Sequence, residues 1–100
     1  MCFTEAGRLK LMEVSKMNMN DIFVAHKCSM YNRAQLLNDQ VCGCFYCLKI
    51  FSPKDITEWV NEGPGTALCP YCGMDSVISE SSGFPITDEF LQAMNKHWFA

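Results

Sequence analysis

Two closely spaced cysteine pairs constrain the fold of this chain more than any other sequence feature. Cys44 and Cys47 form the first pair and Cys69 and Cys72 the second, with 21 residues between the pairs. A Cys-x-x-Cys segment makes a tight turn, a knuckle, that directs both sulfurs to one side, where four thiolates can surround a tetrahedral ion. The gap is close to the roughly 15–20 residues of four-cysteine zinc patterns. We therefore predict that these cysteines bind one structural Zn²⁺ ion.

The second pair, in the stretch Cys69-Pro-Tyr-Cys72, also matches the dithiol of glutaredoxin-like redox proteins. In those proteins the first cysteine precedes a long helix, which lowers the pKa of the attacking thiol. Here Gly73 and the β-branched pair Val77 and Ile78 follow the motif and make a poor helix start. The remaining chain is too short for a thioredoxin-type fold, and a redox dithiol leaves the first cysteine pair unexplained. The metal site is therefore the favoured hypothesis.

The identity of the metal and the ligand set leave alternatives open. The second pair with its following glycine also matches half of an iron-binding rubredoxin site, and four thiolates bind iron well. The first pair has no glycine after it, which favours zinc. Cys42 lies two residues before Cys44, so a register that uses Cys42 stays open, as does a second site formed by His26, Cys28 and Cys42. We favour the interpretation that Cys28 and Cys42 are small buried hydrophobic residues.

A chain of 100 residues has room for one small domain with a modest buried fraction. Such domains often depend on disulfides or a metal for stability, and this chain has seven cysteines. No signal-peptide pattern and no apolar run of about 20 residues is present, so we expect a cytoplasmic protein without a membrane span. Disulfides are rare in that compartment. We predict an N-terminal extension with helical character over residues 1–20 and a zinc-binding domain over residues 21–100.

The net charge of −3 is unevenly distributed along the chain. Residues 1–52 carry six Lys and Arg against four acidic residues, whereas residues 53–100 carry two against seven. Nucleic-acid binding depends on clustered cations that neutralise phosphates. The acidic half, which contains the second cysteine pair, is therefore unsuited to a nucleic-acid backbone.

Four segments carry helix signals. Residues 3–17 have an apolar residue at every third position after the potential cap Thr4, which predicts a short N-terminal helix. Three further helices are predicted to start after Asn32, Ser52 and Thr87. Each of these side chains can cap an orphan amide, and an apolar pair flanks each helix start.

The patterns that follow these caps predict the rest of the fold. The helix after Ser52 is predicted to continue through Ile56, Trp59 and Val60 until a Gly-Pro pair ends it. The last helix is predicted to bury a stripe of four side chains, Phe90, Leu91, Met94 and Trp98. Short strands are predicted at residues 21–26, 66–70 and 75–79. The predicted class is α+β, a small single zinc-stabilised domain with three to four helices.

The sequence also resembles a known group of proteins. The stretches CGCFYCLKIF, TALCPYCGMDSVI and GFPITDEFLQAMNKHWF are similar to those of small bacterial and phage cytoplasmic proteins with two such knuckles. The resemblance covers residues 26–100. It implies a zinc-ribbon or treble-clef-like core, and it implies no particular function.

An enzymatic role is not favoured. A catalytic zinc site keeps an open position for water, and four cysteine ligands leave none. Asp75 and His97 are the candidates for an acid–base pair, and an enzyme on a treble-clef frame would need a catalytic histidine, His26 or His97, beside the metal. The simpler interpretations are a turn residue for Asp75 and a residue that complements the helix dipole for His97. We therefore predict no catalytic residue and no cofactor other than the metal.

The composition favours a protein-binding module. Hydrophobic residues make up 49% of the chain, and Trp59, Trp98 and Phe99 lie near the ends of predicted elements. A small domain cannot bury all of this surface, and exposed apolar patches often mark interfaces. We expect an adaptor or inhibitor that binds a protein partner, with self-association as another use of the same surface.

The alternative is a zinc protein that binds nucleic acid. Bases would stack on Phe45 and Tyr46 beside a basic surface. The cations that would have to converge there are Lys10, Lys16, Lys27, Arg33 and Lys49. The acidic net charge argues against this function.

Overall fold

The computed structural model describes residues 18–99, and the helix predicted over residues 3–17 lies outside them. The helices are α1 (Met19–Lys27), α2 (Arg33–Leu36) and α3 (Asp88–Phe99). The strands are β1 (Cys42–Cys44), β2 (Ile50–Phe51), β3 (Trp59–Val60), β4 (Thr66–Ala67) and β5 (Val77–Ser79). The fold is therefore α+β, as predicted, with three helices among the described residues. None of these helices is long and apolar enough to cross a membrane. The domain boundary after residue 20 stays a prediction.

The strands form two antiparallel sheets. In the larger sheet β1 lies in the centre, in the order β2-β1-β5, with Cys42 opposite both Phe51 and Ser79. β3 and β4 form a separate two-stranded sheet. The strands predicted over residues 66–70 and 75–79 are present as β4 and β5, but both are shorter than predicted. Since β2 returns directly along β1, the first cysteine pair lies at the tip of a hairpin.

The larger sheet separates two clusters of buried side chains, because successive residues of a strand point to opposite faces. In β5, Val77 belongs to one cluster and Ile78 to the other. The helix-side core consists of Ala25, Cys28, Phe45, Ile78, Phe84, Phe90, Leu91 and Met94. The cysteine-side core consists of Leu36, Cys42, Cys44, Phe51, Ile56, Ala67, Cys69 and Val77, with Cys47 and Cys72 packed against it. The first cysteine of each pair is thus buried in this core, and the second lies at its edge.

α3 begins directly after Thr87 and buries its apolar face, as predicted. The side chain of Thr87 accepts a hydrogen bond from the Phe90 amide at 3.2 Å, which caps the helix. Phe90, Leu91 and Met94 are fully buried, and Trp98 packs against the same helix-side core. The apolar stripe of the sequence therefore packs on the sheet through α3.

The strand predicted over residues 21–26 is wrong, because this segment lies within α1. Asn18 and Asp21 form a capping box: the Asn18 side chain accepts a hydrogen bond from the Asp21 amide at 2.9 Å, and the Asp21 carboxylate accepts one from the Asn18 amide at 3.1 Å. Ile22 and Ala25, three residues apart, face the helix-side core. A short apolar run does not distinguish a strand from a helix, whereas a capping box favours the helix.

The helix predicted after Ser52 is also wrong beyond its first turn. Ser52 caps as predicted, since its side chain accepts a hydrogen bond from the Lys54 amide at 3.2 Å. Only a 3₁₀ turn, Pro53–Asp55, follows, and the backbone is extended at Ile56. The chain then enters β3, which pairs with β4. Pairing with β4, the next strand along the chain, thus satisfies backbone groups that a helix would have paired within its own turns.

Asn32 precedes α2 as predicted, but its side chain makes no capping hydrogen bond. Its Nδ2 donates to the Val77 carbonyl at 2.8 Å, and its Oδ1 accepts from the Ala67 amide at 3.1 Å. Val77 belongs to the larger sheet and Ala67 to the smaller one. A single fully buried amide side chain therefore joins the two sheets.

Gly43, in the middle of β1, allows α3 to pack closely on the sheet. An added Cβ would lie 2.9 Å from Cδ1 of Leu91 and 3.2 Å from Cγ2 of Ile86. We expect Gly43→Ala to lower the free energy of unfolding in urea by about 1–3 kcal/mol, because buried side chains must shift. The cost should be smaller in a Leu91→Ala background, where space is available. An equal cost in both backgrounds would contradict close packing as the cause.

Candidate metal centre

The structure brings the four cysteines predicted as metal ligands together. The sulfurs of Cys44, Cys47, Cys69 and Cys72 all lie within 4.8 Å of one another. Across the two knuckles, the Cys44 and Cys72 sulfurs are 3.6 Å apart and the Cys47 and Cys69 sulfurs 3.7 Å apart. A tetrahedron of thiolates at about 2.3 Å from a central ion has edges of about 3.8 Å. The spacing of the sulfurs therefore suits a tetrahedral ion.

The first knuckle is a closed turn held by backbone hydrogen bonds around Cys44. The Cys44 amide donates to the Lys49 carbonyl at 3.0 Å, and the Leu48 amide donates to the Cys44 carbonyl at 2.8 Å. The Tyr46 amide points at the Cys44 sulfur, at 3.4 Å. The turn thus provides an N–H donor for a sulfur that would carry negative charge when it binds a metal.

The second knuckle repeats this arrangement around Cys69. The Cys69 amide donates to the Met74 carbonyl at 2.9 Å, the Gly73 amide donates to the Cys69 carbonyl at 2.9 Å, and the Tyr71 amide points at the Cys69 sulfur at 3.4 Å. In both knuckles the partners of the first cysteine lie five, four and two residues after it. The two halves of the site therefore have the same local geometry.

The residue after each knuckle has a positive φ, +68° at Leu48 and +82° at Gly73. From the sequence, we predicted zinc rather than iron because no glycine follows the first cysteine pair. That distinction fails, because Leu48 adopts the same backbone conformation as Gly73. Leu48 also packs against the helix-side core, and this contact offsets part of the cost of a positive φ in a residue with a side chain.

Gly73 allows a direct test of this conformational requirement. No atom lies within 4 Å of an added Cβ, so Gly73→Ala introduces no clash. We expect the variant to lose about 1–2 kcal/mol of stability from the left-handed backbone alone. Gly73→Asn should lose less, because asparagine tolerates this region better. Thermal unfolding of the metal-loaded variants measures the difference, and an alanine variant as stable as the unmodified protein would refute the explanation.

Burial disfavours a negative charge on two of the four sulfurs, those of Cys47 and Cys72. Burial raises the pKa of the Cys47 and Cys72 thiols above the usual value. Burial acts in the same direction on Cys69, but the amides of Tyr71 and Cys72 and the neighbouring thiols lower its pKa overall. A thiol must lose its proton to bind a metal. A divalent cation at the centre would compensate for the charge that burial otherwise opposes.

The remaining candidate ligands do not join this cluster. The thiol of Cys42 is 3.5 Å from the Phe51 carbonyl, and burial raises its pKa to about 12. The imidazole of His26 packs against the Trp98 ring, with centroids 4.2 Å apart. Over residues 18–99 the four clustered cysteines are the only group of three or more potential ligands close enough to share an ion. The second site considered for His26, Cys28 and Cys42 is therefore not formed within that range.

His97, the histidine considered for an acid–base pair, is in an aromatic environment. Its ring lies edge-on to Trp98 at 4.7 Å and to Phe23 at 6.2 Å. Asp75 is exposed, beyond the second knuckle. The arrangement of the four cysteines can hold an ion through protein sulfurs alone, which is the chemistry of a structural site.

One polar contact at the cluster has no signal in the sequence. The hydroxyl oxygen of Ser76 lies 3.1 Å from the Cys44 sulfur. Ser76 is four positions after Cys72, in a segment whose sequence predicts only a strand. The contact arises because β5 pairs with β1, so only the tertiary structure reveals it.

No protein-family model, curated protein or solved structure matches this chain. The resemblance to small bacterial and phage proteins therefore stays a prediction. The identity of the metal and the function have to be inferred from the chemistry of the chain itself.

Proposed function

We propose that this chain is a cytoplasmic protein with a structural zinc ion bound by Cys44, Cys47, Cys69 and Cys72. The proximity of the four sulfurs, at tetrahedral spacing across two equivalent knuckles, carries this proposal. Thiolates suit zinc, and four protein ligands fill its coordination sphere and exclude a catalytic water. The ion would stabilise the fold rather than react.

We infer a zinc-ribbon arrangement for this site. The first knuckle joins β1 to β2, and the second lies between β4 and β5. Three antiparallel strands, in the order β2-β1-β5, thus lie beside the predicted ion. Strands flank the second pair on both sides, whereas α3 starts 16 residues after Cys72. This strand environment favours the ribbon over the treble-clef alternative.

Native mass spectrometry and elemental analysis of the purified protein test the metal proposal. We expect one zinc ion per chain, retained through purification at neutral pH and lost on acidification because the thiols must be deprotonated to bind. A red protein that contains iron would show that the four cysteines bind iron instead of zinc. A folded chain without any metal would overturn the proposal entirely.

We propose further that the zinc-stabilised domain binds a protein partner as an adaptor or inhibitor. Three aromatic side chains support this: Phe23 of α1, Tyr46 of the first knuckle and Phe99 of α3 are exposed by 49%, 46% and 40%. Tyr46 contacts Phe99 directly, at 4.9 Å, whereas Phe23 contacts Trp98 at 5.5 Å and is linked to the other two only through further rings. We call these three residues the aromatic surface. Exposed rings held by a rigid scaffold are typical centres of binding interfaces.

A variant that removes two exposed rings tests this surface. The double variant Phe23→Ser/Phe99→Ser should weaken binding of a partner isolated from the native host at least about tenfold, which equals about 1.4 kcal/mol. Leu37→Ser is the matched control, because Leu37 is exposed by 69% at the end of α2, outside the aromatic surface. Equal binding by the double variant would overturn the proposed surface. Light scattering that shows a dimer disrupted by the double variant would identify a second copy as the occupant.

The alternative of nucleic-acid binding has less support from the structure. Phe45, one of the two rings proposed for base stacking, is only 1% exposed and belongs to the helix-side core. Tyr46 is exposed, and its ring makes an edge-to-face contact with Phe99. Titration with single-stranded DNA or RNA at low salt tests this alternative, since binding through phosphates must weaken as salt rises.

A further inference from the structure

The hydroxyl group of Ser76 is the one side-chain polar group in the described residues that contacts the four-cysteine cluster from outside it. Its oxygen lies 3.1 Å from the Cys44 sulfur, and both residues are buried, with 2% and 0% exposure. The backbone fixes this position, because the Ser76 carbonyl accepts a hydrogen bond from the Phe45 amide at 3.1 Å. Ser76 is therefore held against the side of the first knuckle that faces the interior.

We propose that Ser76 is a positioning residue that donates a hydrogen bond to the metal-bound Cys44 thiolate and thereby increases the affinity of the site for its metal. The proposal rests on the metal site proposed above. A metal-bound thiolate has no proton and can only accept, whereas a serine hydroxyl can donate. The direction of the contact is thus determined once an ion is bound.

The charge of the loaded site explains why this donor matters. Four thiolates around a divalent cation leave a net charge of about −2 in the protein interior, where burial of charge is costly unless hydrogen bonds satisfy it. Cys44 is fully buried, and water cannot supply the donors. The Tyr46 amide supplies one hydrogen bond and Ser76 the second. Hydrogen bonds to charged acceptors are stronger than those between neutral groups.

The sulfurs also differ in the donors available to them. Cys47 and Cys72, the second cysteines of the knuckles, are only partly buried, so solvent reaches them. Cys69 is buried and accepts from the Tyr71 amide, as Cys44 does from Tyr46. Cys44 differs from Cys69 in having the Ser76 hydroxyl as an additional partner, and Cys44 is the most completely buried of the four cysteines. A group that orients a ligand from outside the coordination sphere typically changes metal affinity by roughly 10- to 100-fold.

Ser76→Ala tests the proposal, because it removes the hydroxyl and changes little else in shape. Ser82→Ala is the matched control: Ser82 is equally buried, and its hydroxyl donates to the Ser79 carbonyl at 2.7 Å instead of to a sulfur. In a competition titration with a zinc chelator at fixed pH, Ser76→Ala should bind zinc roughly 10- to 100-fold more weakly than the unmodified protein. Ser82→Ala should bind zinc as tightly as the unmodified protein.

The absorption spectrum after substitution with Co²⁺ provides a second measurement that a loss of stability alone would not change. Without the hydrogen bond, Cys44 donates more electron density to the ion, so the sulfur-to-cobalt charge-transfer band should move to lower energy in Ser76→Ala. Ser76→Thr keeps a hydroxyl and should retain the unmodified spectrum. A threonine variant with the alanine spectrum would show that shape, not the hydrogen bond, is responsible.

The outcomes separate this inference from the metal site itself. If the unmodified protein binds zinc and Ser76→Ala shows the same affinity and the same cobalt spectrum, the role of Ser76 is refuted and the site remains. If the unmodified protein binds neither zinc nor cobalt, the proposed metal site fails, and the role of Ser76 fails with it. Weaker zinc binding together with a shifted band, in Ser76→Ala alone, supports the proposal.

Discussion

Removal of the metal is expected to unfold this protein. Adding a strong chelator at neutral pH should abolish the β-sheet signal in circular dichroism, and adding Zn²⁺ should restore it. Structural zinc in small domains contributes about 10–16 kcal/mol of apparent binding free energy, whereas a domain of this size has a total stability of about 5–15 kcal/mol. The contribution of the ion is therefore comparable to the total stability expected for the domain, so we expect the metal-free chain to be unfolded.

The composition of the cysteine-side core explains why the metal is expected to contribute so much to the stability of the fold. Its large apolar side chains are Leu36, Phe51 and Ile56, and four of its buried or partly buried members are the proposed ligands themselves. Without an ion, much of this core consists of four thiols in contact with one another, where a larger protein would have apolar side chains. The helix-side core, with three phenylalanines, Leu91 and Met94, is the part that can retain residual structure.

Two cysteines in the same strand provide the variants. Cys44→Ser removes a proposed ligand and should give a metal-free protein that is unfolded at 25 °C. Cys42→Ser is the matched control: Cys42 is equally buried in β1, two residues away, but lies outside the sulfur cluster. It should keep one metal ion and lose at most about 1–2 kcal/mol, because a serine hydroxyl can also donate to the Phe51 carbonyl. Unaltered folding of Cys44→Ser would contradict the structural role of the metal.

Replacement of Asn32 is expected to have the next largest effect on stability. Asn32→Leu keeps the approximate volume but leaves the Ala67 amide and the Val77 carbonyl without their partner. Each unsatisfied buried polar group costs about 1–3 kcal/mol, so we expect a loss of about 2–5 kcal/mol in the free energy of unfolding. Urea denaturation of the metal-loaded protein measures this loss.

The position of Asn32 makes the effect specific. β4 precedes the second knuckle and β5 follows it, so Asn32 holds both ends of the segment that carries Cys69 and Cys72. Asn32→Leu should therefore also weaken zinc binding. Asn38→Ala is the control, because Asn38 is exposed and donates only to the Ala34 carbonyl within its own turn, at 3.2 Å. It should cost less than about 0.5 kcal/mol. A similar effect of both variants would show that Asn32 does not join the sheets.

Local patterns predicted the parts of the fold that depend on local interactions. The cap at Thr87 and the apolar stripe of α3 were enough to predict that helix, because both signals come from residues that are close together in the sequence. The two Cys-x-x-Cys spacings likewise predicted a cluster of four sulfurs, since a knuckle is a turn of six residues with its own hydrogen bonds. Both predictions agree with the structure.

Predictions failed where hydrogen bonds to another strand compete with a helix-capping signal. Ser52 and Pro53 are a valid helix start, yet the chain leaves the helix at Ile56 because β3 can pair with β4. Asn32 has the side chain of a cap, yet it binds two strands that lie 35 and 45 residues further along the chain. In both cases a capping preference worth about 1 kcal/mol gives way to other hydrogen bonds, those of a neighbouring strand pair after Ile56 and those of two distant strands at Asn32.

The sequence by itself predicted that Cys44, Cys47, Cys69 and Cys72 meet, because the spacing within each pair sets the turn and the direction of its sulfurs, and the structure then excluded Cys42 from the cluster. Only the tertiary structure decided what surrounds them: the packing of Leu48 against the helix-side core, a buried amide between two sheets at Asn32, and the hydroxyl of Ser76 beside Cys44. These contacts depend on how β5 pairs with β1 and how both sheets pack. Such long-range geometry has no periodic or nearest-neighbour signal in the chain.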